Sequence, residues 1–309
     1  LIYAKDNDDF KARRLKAVTY DLNSGAAVLA RKALEDMIDY ADSCQVETTA
    51  ELLIELKDLA EQLIAARPSR LVVGNLLRYW LNSLPDLPDD LDRARGRAGA
   101  HAEEVIDLLQ AAQNEVVARC LEEIQPGMTL MTHSSSSNVM ALFRACHLAN
   151  LNVQAIITES RPGMEGRKLA RYLNKLEIPC QFITEAQMAH FVVQADKVVL
   201  GSDSVLRDGS LITKAGSYLL ALAAKDSGIP VWVLAEGFKH ALVLPEDAVL
   251  EEVDPEELQL ETMPHVEVRN VYFDLIPARL VTAWVDEERV AVTFRSLAEA
   301  RPETLPTVQ

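Results

Sequence analysis

Met131-Thr132-His133-Ser134-Ser135-Ser136-Ser137-Asn138, Thr158-Glu159-Ser160-Arg161-Pro162-Gly163-Met164-Glu165-Gly166 and Gly201-Ser202-Asp203-Ser204 decide how this chain is read. Each follows an apolar, β-branched run and precedes a helical pattern. Loops at the carboxyl ends of strands in an open α/β sheet look like this, and ligands bind there. Around these segments, strands are predicted at 128–132, 153–158, 179–183, 198–201, 230–235 and 280–285. Helices are predicted at 166–174, 186–194 and 213–226, with 139–149 inside a further one. Strand alternating with helix implies a parallel, doubly wound sheet. The acidic, proline-containing run 246–261 reads as a surface excursion before the last strand.

Upstream the texture is helical. Leu15, Val18 and Leu22, then Val28, Leu29, Ala33, Leu34, Met37 and Ile38, recur at three- and four-residue steps, the period of a one-sided helix. Thr48 and Thr49 ahead of Glu51 and Glu55 predict a helix start, and Arg67-Pro68-Ser69 a break. A shorter helix is predicted at 71–81 and a long one from about Asp90 to Ile124. Pro126-Gly127 separates the two textures, which sets an expected boundary between a helical domain, 1–125, and an α/β domain, 126–309.

The 309 residues suit roughly two domains of about 150 each. Apolar residues are 49% and charged residues 25% of the chain, as in ordinary globular proteins, and no apolar run approaches the ~18 residues of a membrane span. A net charge of −16 argues against a nucleic-acid footprint, which needs clustered Lys and Arg. Cys44, Cys120, Cys146 and Cys180 lack CxxC spacing, and the six histidines lack HxxxH or HxH, so neither a disulfide framework nor a metal site is expected. No GxGxxG or phosphate-loop lysine motif is present, so no cofactor is expected. The charged opening Lys5-Asp6-Asn7-Asp8-Asp9, with no apolar signal region behind it, predicts a cytoplasmic protein.

The serine run could form an anion site at a helix N-terminus, or simply a multiply capped helix start. Arg161 with Gly163 and Gly166 could fork a phosphate, or form a turn with solvent-facing arginines. Asp203 at a strand end could be a general base or hold sugar hydroxyls, and equally a helix cap or an Asx turn.

Taken in order, Thr132-His133, Thr158-Glu159-Ser160-Arg161-Pro162 with Gly166, Gly201-Ser202-Asp203, Asp208-Gly209-Ser210, Lys214-Ala215-Gly216-Ser217, Ala235-Glu236-Gly237-Phe238-Lys239 and the run 269–277 resemble one family. It comprises the α, β and δ regulatory subunits of eukaryotic initiation factor 2B, ribose-1,5-bisphosphate isomerase and methylthioribose-1-phosphate isomerase. Ser24-Gly25-Ala26-Ala27 and Arg67-Pro68 with Asn75 and Arg78 resemble its N-terminal signature. The resemblance implies an N-terminal helical domain, a Rossmann-like C-terminal domain, a homodimer, and a phosphorylated pentose or nucleotide held in the interdomain cleft. It implies binding roles for Ser24, Gly25, Ala26, Arg67, Ser135, Arg161, Glu165, Gly166, Thr213 and Lys214.

In the isomerases of this family a cysteine and an aspartate flank carbons 1 and 2 of the ring-opened sugar. The aspartate position is Asp203, and the cysteine position, after the Thr-His pair, holds Ser134. A thiol titrates near ~8.5, so it can hold or release a proton at neutral pH, whereas a hydroxyl needs an activating base. Cys146 lies on the order of 18 Å farther along a helix and cannot stand in. Glu165 and Thr213 replace the Gln and Asn usual in those isomerases, and Glu165-Gly166-Arg167 resembles the regulatory branch. The expectation is a regulatory or weakly catalytic ligand-binding protein. The alternative is an aldose-ketose isomerase acting on a ribose 1-phosphate-type substrate, in which Asp203 transfers the proton and Ser134 orients the sugar.

Overall fold

The computed structural model describes residues 2–21, 24–67, 71–250 and 252–292. Leu22, and Pro68 and Ser69 of the expected helix break, lie outside them. By its own contacts the chain divides between Ala111 and Ala112 into two compact units. That division falls inside the long helix, ahead of the change of texture at Pro126-Gly127.

The first unit is helical: α1 (Ile2–Thr19), α2 (Ala26–Ser43), α3 (Thr49–Ala66), α4 (Leu71–Ser83) and the first part of α5 (Leu91–Leu121). Leu29, Ala33, Leu34, Met37 and Tyr40 of α2, Leu52, Leu56, Leu59 and Leu63 of α3, and Leu76, Leu77 and Trp80 of α4 are all fully buried. That is most of the stripe the three- and four-residue spacing anticipates, but Val28, expected within it, is exposed. Thr48 starts α3 with a complete capping box: its hydroxyl accepts from the Glu51 N–H while the Glu51 carboxylate takes the Thr48 N–H. Two arginines, Arg67 buried and Arg95 half-buried, close other helix ends. Arg67 Nη1 donates to the carbonyls of Val18, Thr19 and Asp21 beyond α1, and Arg95 donates to Ala41 and Cys44 at the end of α2.

Asp36 sits within this helical core, and burial raises its carboxyl to about 6 even though Arg14 Nη1 lies 3.0 Å away. A folded value above the unfolded one, ~3.9, means that the associated stability is present below about pH 4 and lost as pH rises through about 6. Asp36→Asn is therefore expected to stabilise the protein at about pH 7.5 by on the order of 1–2 kcal/mol and to change little at about pH 4.5, measured by urea unfolding at both. Arg14 keeps a second partner in Asp39, 2.7 Å away.

The second unit is α/β. Its strands are β1 (Thr129–Thr132), β2 (Gln154–Thr158), β3 (Cys180–Ile183), β4 (Lys197–Gly201), β5 (Ser204–Val205), β6 (Leu211–Lys214), β7 (Val231–Leu234), β8 (Phe273–Ile276), β9 (Ala283–Val285) and β10 (Val290–Ala291). The helices are α6 (Ser137–Leu148), α7 (Gly166–Lys175), α8 (Met188–Phe191) and α9 (Ser217–Asp226). A seven-stranded sheet runs β10-β9-β7-β4-β1-β2-β3, with every pair parallel except β10 on β9. Alternate strand residues feed opposite cores. Leu130, Ala155, Ile157, Val199, Trp232 and Leu234 pack with α6, α7 and the end of α5. Met131, Ile156, Val198, Leu200, Val231 and Val233 pack with α8 and α9. Burial on both faces explains why these strands read as continuous apolar runs.

The sequence reading of 213–226 as one helix is corrected here. Thr213 and Lys214 end strand β6, and the helix begins only at Ser217. A second sheet, β5-β6-β8, is antiparallel and was not anticipated. Its hairpin turns at Asp208-Gly209, where Gly209 has φ +86° and the Asp208 carboxylate takes the N–H and hydroxyl of Ser210. The run 246–261 is mostly exposed, with short 3₁₀ turns at Pro245–Asp247 and Pro255–Leu258. No helix among the described residues is long and apolar enough to cross a membrane.

Candidate functional site

From β1 the chain continues to one side, through β2 and β3, and then returns to the other side as β4. Sheets of this kind take ligands where the strand order reverses in this way, here at the carboxyl ends of β1 and β4. Ser134 to Ser137 leave β1 there, and Ser202 and Asp203 leave β4. The two loops touch: a Cβ built on Gly201 would stand 2.1 Å from Ser136 Oγ, so only glycine lets them come together.

A one-way chain of hydrogen bonds shapes the first loop. The Ala215 carbonyl can only accept, so His133 Nε2, 2.7 Å away, carries the ring proton and Nδ1 accepts from the Thr158 hydroxyl at 2.7 Å. Thr158 Oγ1 in turn lies 3.2 Å from Ser160 Oγ, which accepts the Ser134 N–H at 2.6 Å. Burial lowers the His133 pKa, so the ring is neutral at pH 7. Ser134 itself is in the left-handed region at φ +68°, and Ser160 likewise at +64°. Glu185, which the sequence reading did not single out, accepts the Ser160 N–H at 2.6 Å. Nothing in its polar surroundings could have flagged it.

Ser136 stands at the cap of α6 but makes no side-chain hydrogen bond to the helix, and Ser135 reaches Met140 Sδ at 3.4 Å. Asp203 is half-buried in the bend between β4 and β5, where no helix starts. Its N–H donates to the Ile212 carbonyl, and Thr213 Oγ1 donates to the Gly201 carbonyl, so β6 braces the loop after β4. The α9 cap is Asp274 instead, taking the N–H groups of Gly216 and Tyr218 at 2.7 and 3.0 Å.

Lys214 is buried, its Nζ 2.8 Å from Glu165 Oε1 and 3.0 Å from the Tyr272 ring centroid. Arg161 is half-buried and has no hydrogen-bonding or ionic partner among the described residues. Gly166 opens α7 directly against the Thr158 carbonyl. At the end of β7, Glu236 and Lys239 form a buried ion pair at 2.8 Å. The sequence reading carried both, like Tyr272 and Asp274, within motifs to which it assigned no role.

Ser24, Gly25, Ala26 and Arg67 belong to the first unit. Gly25 is the N-cap residue of α2 and Ala26 its first helical residue. Ser24 donates through N–H and hydroxyl to Asp21, which also pairs with Lys32 at 2.7 Å. Burial alone would raise the Asp21 carboxyl, but Lys32 and Ser24 outweigh it and hold it near about 2. Cys146 lies in the core under α6, where burial pushes its thiol up to about 11, so it does not replace the missing thiol. Among the described residues no cluster of three or more His, Cys, Asp or Glu is arranged to hold a metal ion.

The sequence profile of the initiation factor 2 subunit family matches residues 22–289. A translation initiation factor eIF-2B subunit 2-like protein of Pyrococcus abyssi is 31% identical over 293 residues, covering 94% of this chain and 96% of its own. A ribose 1,5-bisphosphate isomerase of Archaeoglobus fulgidus is 30% identical over 270 residues, covering 85% and 83%. The crystal structure of translation initiation factor eIF-2B from Pyrococcus horikoshii superposes with a TM-score of 0.79 at 29% identity, covering 91% of this chain and 96% of that one. An initiation-factor name and an isomerase name thus stand at nearly equal distance. The chain belongs to the initiation factor 2 subunit family.

Proposed function

We propose that this chain binds a phosphorylated pentose or nucleotide at the carboxyl ends of β1 and β4 and serves as a regulatory, weakly catalytic member of the family, cytoplasmic and homodimeric. One observation carries the weakly catalytic part. The imidazole next to Ser134 in the chain is that of His133, and both its nitrogens are engaged, by Thr158 and Ala215. The Ser134 hydroxyl therefore gets no base from its neighbour, and an unactivated hydroxyl neither attacks nor shuttles a proton near pH 7. The half-buried Arg161 guanidinium supports an anionic ligand in a chain of net charge −16.

The second reading, an aldose-ketose isomerase, is favoured by Asp203, an acid at the same end of the sheet in a bend where no helix starts. An isomerase assay with ribose 1,5-bisphosphate and methylthioribose 1-phosphate separates the two. The first reading expects a thermal shift with sugar phosphate and turnover far below about 1 s⁻¹, whereas rates in the usual enzyme range of about 1–10³ s⁻¹ would overturn it. Under the isomerase reading, Asp203→Asn is expected to abolish turnover while ligand binding persists. An unchanged rate in that variant would sink the isomerase reading.

A further inference from the structure

The ammonium of Lys214 is balanced inside the protein. Glu165 Oε1 lies 2.8 Å from it, the Tyr272 ring face covers it at 3.0 Å, and the residue is 5% exposed, so little water screens the pair. An ammonium matched in this way presents no net charge to an incoming anion. The other carboxylate oxygen, Glu165 Oε2, is buried with no hydrogen-bond partner. An ionised carboxylate only accepts, so whatever completes it has to bring a hydrogen. A sugar hydroxyl does so. A phosphate dianion offers acceptors alone and would stand against a like charge.

We infer that Glu165 sets the ligand class of this site: it takes a sugar hydroxyl, not a phosphoryl group, beside Lys214, and so selects singly phosphorylated pentoses over bisphosphorylated ones. This rests on the sugar-phosphate reading above. The single phosphoryl group falls to Arg161, which lies four residues before Glu165 in the same loop and has no ionic partner among the described residues.

The test is calorimetric titration of the full chain with ribose 5-phosphate and with ribose 1,5-bisphosphate, for wild type, Glu165→Gln and the double variant Glu165→Gln/Lys214→Met. Wild type is expected to bind the monophosphate more tightly. Glu165→Gln removes the carboxylate that lies against Lys214 and is expected to raise bisphosphate affinity by about tenfold or more while changing ribose 5-phosphate by less than about threefold. The double variant, lacking the cation as well, is expected to return bisphosphate affinity toward the wild-type level. Wild type preferring the bisphosphate, a comparison that needs no variant, overturns the inference, and so does an unchanged ratio in a Glu165→Gln protein that melts normally. If neither sugar phosphate binds any of the three proteins, the sugar-phosphate reading itself falls and takes this one with it.

Discussion

Ser134→Cys is expected to raise turnover of methylthioribose 1-phosphate by about 10²–10⁴-fold over wild type, the usual worth of one positioned acid or base. The substitution changes one atom. The backbone that presents it is held independently, by the Ser134 N–H on Ser160 Oγ and the bonds from there to Thr158 and His133. A thiol needs no imidazole partner to exchange a proton near neutral pH, which a hydroxyl does. A singly phosphorylated substrate keeps the measurement independent of any penalty that Glu165 imposes on a second phosphate. A variant that binds substrate yet gains nothing would mean that the site has diverged beyond this residue.

Gly166→Ala is expected to cost about 3 kcal/mol or more in stability, followed by chemical denaturation, and to abolish sugar-phosphate binding. A Cβ there would fall 1.7 Å from the Thr158 carbonyl oxygen, which is backbone at the carboxyl end of β2 and cannot rotate aside. Relief requires α7 to leave β2, pulling the 159–165 loop with it. That segment carries both Arg161 and Glu165. The family resemblance implies a ligand-binding role for Gly166, and its packing against Thr158 gives it a structural one beside that. Wild-type stability with selective loss of binding would reverse that view.

The parallel sheet was legible because its strands are buried on both faces and punctuated by the very loops that carry polar residues. Val198-Val199-Leu200 before Gly201-Ser202-Asp203 is the clearest case. The antiparallel sheet was hidden for the opposite reason. Strand β5 is only two residues long, and Leu211-Ile212 runs on toward Ala215 and the apolar face of α9, so strand and helix merge into one apolar pattern. Asp208-Gly209 was a hairpin signal in plain view, quoted as part of a motif but not read as a turn. At the site, the loops could be named in advance. The partners of Lys214 could not, because Glu165 and Tyr272 reach it from loops distant in sequence, and register brings Lys214 opposite Phe273, next to Tyr272.

Asp203 and Lys214 lie at the two ends of one folded-back ribbon, clamped through Asp203 N–H to Ile212 and Thr213 to Gly201, and its third strand caps α9 through Asp274. Ser134 belongs to a separate loop. A substitution at Ser134, after β1, therefore leaves undisturbed the ribbon that holds Asp203 and Lys214.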